Sequence, residues 1–185
     1  MALFILLFSF FSEFAADEEI TTITADTKTL KELMHEHQDL ERWRHEKLLE
    51  AREAPQVMEN KDAVEFLNGL EEIHYAYMKR HEYHETVLRM IRIHGKSLKN
   101  PSETIRKILN CVKDLETTWK KHESLLLGKN CQKVMKTTEE PFLDLPEIKE
   151  LLPAFAKSTV QYYELIPLFE AEVEASPLAK YVFTS

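Results

Sequence analysis

The sequence predicts an all-α fold, an up-and-down four-helix bundle with a proline-kinked last helix. Three observations lead there. The 185 residues include only 3 glycines, with 44% hydrophobic and 30% charged residues, a balance that suits helices better than strands. Apolar residues recur at steps of three and four along four long stretches. Each stretch is bounded by cap and stop signals, and the short connections between them make neighbours antiparallel.

The first helix opens at Thr29, which forms a capping box with Glu32, and runs to about Glu53, where Pro55 stops it. Its seam reads Leu30, Leu33 or Met34, His37, Leu40, Leu48 and Ala51. A second helix starts at Asn60 or Lys61 and runs to His94, with Gly95 as its C′ residue. Its seam passes through Phe66, Leu67, Leu70, His74, Tyr77, His81, His84, Leu88 and Ile91. "NPSE" opens the third helix, with Asn100 as cap, Pro101 at N1 and Glu103 at N3, and Gly128 ends it. Ile105, Val112, Trp119 and His122 lie on its seam. A polar segment follows, with room for a helical turn. "DLPE" opens the fourth helix with a box of Asp144 and Glu147, and the helix fades near Ala175; a short tail helix starts at Ser176–Pro177.

Ahead of the bundle, "MALFILLFSFFSEFAA" is apolar from Ala2 to Phe11. The run has the length of a signal-peptide core and is too short to span a bilayer. It predicts a signal peptide over residues 1–16, a single helical-bundle domain over 17–185, a secreted protein, and no stable membrane span after cleavage. The alternative is an uncleaved apolar segment packed on the domain or on a membrane, because no Lys or Arg precedes the run. With a net charge of -8, nucleic acid is not an expected partner. Cys111 and Cys131 are barely within reach of each other, since a helix from Cys111 to Leu126 rises about 22 Å and the return to Cys131 spans at most about 17 Å.

Two places carry candidate chemistry. The fourth helix holds Pro153 and Pro167, and each removes a backbone donor. A bend there would present Phe155, Tyr162, Ile166 and Phe169 as an apolar wall for a small ligand or a partner's helix; the plainer reading has these side chains filling the core. The second place is "EIHYAYMKRHEYHE", residues 72–85, where His74, Tyr77, His81 and His84 share one face. Glu71, His74, His81 and His84 are the candidate metal ligands, since imidazole with carboxylate suits zinc or iron. Glu32/His35 and Glu71/His74 superficially look like ferritin-like di-iron half-sites, but the third and fourth seams lack the further glutamates. No metal or other cofactor is therefore expected. The plainer reading makes these histidines seam fillers with their tips at the bundle rim; a pH switch is the other. No phosphate loop, nucleophile elbow, HExxH or paired CxxC occurs. The expected function is non-enzymatic: a secreted bundle that binds a protein partner, with a carrier of a small apolar ligand and a histidine–carboxylate metal-binding bundle as alternatives.

Overall fold

The computed structural model describes residues 29–126, 129–134 and 140–182. The expected signal segment lies outside these. Four long helices make the bundle: α1, Leu30–Glu53; α3, Lys61–His94; α4, Glu103–Leu125; and α6, Pro146–Glu174. Single turns or short helices join or follow them: α2, Pro55–Met58; α5, Lys129–Val134; and α7, Ala179–Val182. There are no strands among the described residues, and no described helix is long and apolar enough to cross a membrane.

Side-chain pairs give the direction of each helix. Arg52 meets Glu71, and His81 faces Glu41, so α1 and α3 are antiparallel. Lys47 meets Glu150 and His37 meets Gln161, so α1 and α6 are antiparallel too. Arg80 meets Glu123, which sets α4 against α3. The order is therefore up, down, up, down. The main packing partners are α6 for α1 and α4 for α3. Each of these two seams carries one of the chain's 2 tryptophans: Trp43 lies beside Lys157 of α6, and Trp119 lies under Arg80 of α3.

The cap chemistry explains where the helices begin. Thr29 and Glu32 form the full box, and Asn60 Oδ1 accepts from the backbone N–H groups of Asp62 and Ala63. Two expected caps move. The cap of α4 is Ser102, whose hydroxyl accepts from the Ile105 N–H, because Asn100 closes the 3₁₀ turn Ser97–Lys99 that buries Leu98. The cap of α6 is Leu145 rather than Asp144. Pro146 stands at N1 and forces the residue before it into the extended region, while Asp144 ends a 3₁₀ turn and pairs with Lys149. Gly95 also differs from expectation. It is right-handed, and it supplies room: a Cβ there would lie 2.6 Å from the Ile91 carbonyl oxygen. The tail helix starts at Ala179, past the expected Ser176–Pro177. Both cysteines are free; Cys111 is exposed, and the Cys131 thiol is buried against the Gly69 carbonyl.

The seam positions fill two large apolar clusters and a small one, with Phe66, Leu67, Leu70, Leu152 and Phe155 in the first and Val87, Val112, Trp119 and Phe169 in the second. Leu70 is fully buried. Leu70→Ala is expected to cost about 2–5 kcal/mol, and Val112→Ala less, in urea unfolding. A loss below about half a kcal/mol at both positions would show that the seam is not the core.

Candidate functional site

Between the apolar clusters lies a band of buried polar groups contributed by three helices. On α1, His37, Glu41, Arg44 and Leu48 follow steps of four, three and four, so all project from one face. That face meets His74, Tyr77 and His81 of α3 and Ser158, Gln161 and Tyr162 of α6.

Arg44 is the centre of the band and has no exposed surface. Its Nε–H donates to His74 Nδ1 at 2.9 Å, and an Nη1–H donates to Ser158 Oγ at 3.0 Å. Ser158 passes its own proton to the Phe155 carbonyl. Nη2 lies 3.6 Å from Glu41 Oε1, too long for a hydrogen bond but close for a charge pair. The guanidinium also lies over the rings of Tyr77 and Phe155, at 5.4 and 5.6 Å. Because His74 accepts at Nδ1, its proton is on Nε2, which donates to His45 Nδ1 at 3.1 Å.

His37, also fully buried, donates from Nδ1 to Gln161 Oε1 at 3.2 Å. Its Nε2 then faces Glu41 Oε1 at 3.6 Å. His81 lies against both carboxylates of the α1–α3 seam: Nδ1 is 3.9 Å from Glu41 Oε2, and Nε2 is 3.9 Å from Glu85 Oε1. One ligand atom each from His37, Glu41 and His81 fall within 4.8 Å of one another.

The charges follow from this packing. Burial pushes the Glu41 carboxyl up, but the neighbouring His37, His81 and Arg44 together outweigh it and bring the group down to about 2. Burial first, and then the Arg44 and His45 charges, lower His74 to about 3. Burial likewise lowers His81 and His84. Burial thus disfavours the protonated forms of His74, His81 and His84, while Glu41 is held ionised.

The four metal candidates read from the sequence separate. Glu71 pairs with Arg52 at 2.6 Å, His74 serves Arg44, and His84 stacks on Phe169 at 3.9 Å between ring centroids. Only His81 joins the His37–Glu41 group. Nor do the histidine tips reach the bundle rim: His37, His74, His81 and His84 are all buried. The aromatic wall candidates also pack inward. Phe155, Tyr162 and Phe169 are buried, with Tyr162 stacked on Tyr77 at 4.5 Å, while Ile166 is half-buried; α6 runs unbroken through Pro153 and Pro167. Neither Arg44 nor Glu41 stands out in the sequence. The available signal was the repeat of His-x-x-x-Glu, at His37/Glu41 and again at His81/Glu85, on two consecutive helices.

Beside this band, between the start of α1 and the end of α3, lies a cleft of about 750 Å³. Leu30, Met34, Leu88 and Ile91 supply its apolar surface, and Lys31, Arg89 and Arg92 its cations. Gln38 donates to Glu85 at the end of the cleft nearest His81.

Fold and site together define an all-α bundle protein with a buried histidine–carboxylate–arginine band and an adjoining surface cleft. Compared with protein-family models, with curated proteins and with solved structures, the chain matches none.

Proposed function

We propose that this protein acts by binding rather than by catalysis, and that its ligand is a small amphipathic anion, such as a long-chain carboxylate, held in the cleft between α1 and α3. The observation that carries the reading is the pairing of an apolar cleft surface with Lys31, Arg89 and Arg92, none of which has an ion-pair partner among the described residues. In a chain of net charge -8, three unpaired cations around one apolar cleft concentrate positive potential there. The volume falls within the range of small-molecule sites. Glu85 and Glu172 also line the cleft, so the three cations outnumber two acids, and Glu85 is engaged as acceptor from Gln38. Extracellular transport of such a ligand suits the secretion expected from residues 1–16.

A protein partner has less to hold. The exposed large apolar side chains among the described residues, Leu49, Met58, Tyr75, Met78, Ile93 and Tyr181, are spread over four helices, and only Tyr75 and Met78 lie one helical turn apart, well short of the area a stable interface buries.

Titration with dansylated undecanoic acid tests the proposal. Saturable binding near one ligand per chain is expected, with the methyl ester binding much more weakly. Reversing two of the exposed cations together, Arg89→Glu with Arg92→Glu, is expected to weaken binding at least about tenfold while leaving the circular dichroism melt unchanged. Unsaturable binding, or full affinity in the double variant, would refute it.

A further inference from the structure

The buried band contains a gap that its own protons do not fill. His37 Nδ1–H is committed to Gln161 Oε1, so a neutral His37 turns the lone pair of Nε2 toward Glu41 Oε1. Both atoms are buried, and neither has a hydrogen-bond partner. Two acceptors facing each other at 3.6 Å repel unless a positive charge lies between them. The separation is too long for a proton to bridge as a normal hydrogen bond. So is the 3.9 Å from Glu41 Oε2 to His81 Nδ1. Ligands bound at about 2.1 Å to one ion lie roughly 3.0–3.5 Å apart, and one ligand atom from each of the three residues lies within 4.8 Å of the others, so side-chain shifts on the order of an ångström convert the observed triangle into a coordination set.

We propose that His37 Nε2, the Glu41 carboxylate and His81 Nδ1 bind one divalent transition-metal ion of the zinc or ferrous class between α1 and α3. Two imidazoles and one carboxylate select such an ion over calcium or magnesium, which take oxygen ligands. The surroundings are those that metal histidines use. Gln161 fixes the His37 tautomer by accepting at Nδ1, leaving Nε2 free to ligate. His81 has the complementary arrangement: with Nδ1 on the ion, its proton is on Nε2, which faces Glu85 Oε1 and otherwise lacks a partner. Closing that 3.9 Å gap by about 1 Å would complete a carboxylate–histidine–metal relay. The expectation that no metal is bound rested on missing glutamates in the third and fourth seams. The set found here needs none from them, because both of its helices are the first two long ones.

Arg44 works against the ion. Its guanidinium lies 3.6 Å from Glu41 Oε1, and a second cation beside the same carboxylate is repelled. Glu85, which His81 faces, restores part of the negative charge. The expected affinity is therefore in the micromolar range, weaker than that of a closed structural zinc site.

The test uses the full chain stripped of metal and titrated with Zn²⁺ by calorimetry and with Co²⁺ by visible absorption. The expected result is one ion per chain, with cobalt bands of nitrogen–oxygen coordination. His37→Gln and His81→Gln are each expected to lose at least about tenfold in affinity, and His122→Gln, on α4 and away from the set, to lose none. Should either ligand variant fail to fold, histidine ring resonances of the unsubstituted chain decide the matter. Zinc is expected to shift those of His37 and His81 and to leave His122 in place. No one-to-one binding, cobalt bound only at exposed histidines, or a His37 ring protonated on both nitrogens in the presence of one equivalent of zinc would overturn the assignment.

Discussion

Arg44→Ala is expected to destabilise the bundle by about 3–5 kcal/mol in urea unfolding, among the largest effects of any single substitution here. The side chain has no exposed surface, so water cannot replace what it supplies. Its loss leaves the Glu41 carboxylate without the permanent positive charge 3.6 Å away. It also leaves His74 Nδ1 and Ser158 Oγ without donors and opens a cavity between Tyr77 and Phe155. Arg44→Lys is expected to recover only part of the loss, because one ammonium cannot reach groups on α1, α3 and α6 at once as the planar guanidinium does. The cause can be separated from simple packing by a double-mutant cycle. Arg44→Met in a Glu41→Gln background is expected to cost less than in the unsubstituted chain, since the stranded charge is gone. A cost below about 1 kcal/mol for Arg44→Ala would show that the buried arginine is tolerated rather than required.

Acid is expected to unfold the protein early. The folded-state values of His74, His81 and His84 lie below the usual 6.5, so the unfolded chain takes up protons that the native chain refuses. Stability from these groups is fully present above pH 6.5 and is lost as the pH falls toward the folded values. For His74, with a folded value of about 3, the loss by pH 4 alone amounts to roughly 3 kcal/mol. Glu41 adds a second, lower window, from 4.5 down to about 2. The midpoint of thermal unfolding is therefore expected to fall continuously from pH 6.5 downward, well before ordinary carboxylates titrate. His74→Gln, which keeps an acceptor for Arg44, is expected to flatten the upper part of that slope. A midpoint constant between pH 7 and 4.5 would mean that the imidazoles are not held neutral.

What could be read from the sequence was what depends on neighbours along the chain. Thr29/Glu32 and Asn60 announce their helices because the cap and the donors it satisfies lie within three residues. Two caps misled because each had a local rival. Asp144 lost to the extended geometry that Pro146 imposes on Leu145, and Asn100 to Ser102 two residues on. The histidine face of α3 was legible as a face, but its partners were not. His37, Glu41 and Arg44 come to it from 30 to 44 residues away, and Gln161 and Ser158 from farther still. Charged residues at seam phase read as breaks in an apolar stripe unless the opposite sides of the seam are known. Arg44 was therefore invisible until α3 and α6 were placed around it. The aromatic wall illustrates the same limit: prolines at 153 and 167 signal a cost along α6, and what they do to its far side depends on what packs there.

The separation of the two tryptophans gives the bundle a built-in optical probe of its own cooperativity. Trp43 reports on the α1–α6 seam through Lys157, and Trp119 on the α3–α4 seam through Arg80. Each indole lies close to a cation from the facing helix, and that contact is lost when its own pair of helices opens, although Lys120 on its own helix also lies over Trp119. Replacing one or the other with phenylalanine yields two single-colour versions of the same molecule. If the halves open together, both emissions change at one denaturant concentration. If α4 peels away first, Trp119 leads and Trp43 follows, and the spacing between the two curves measures how strongly the buried polar band ties one half of the bundle to the other.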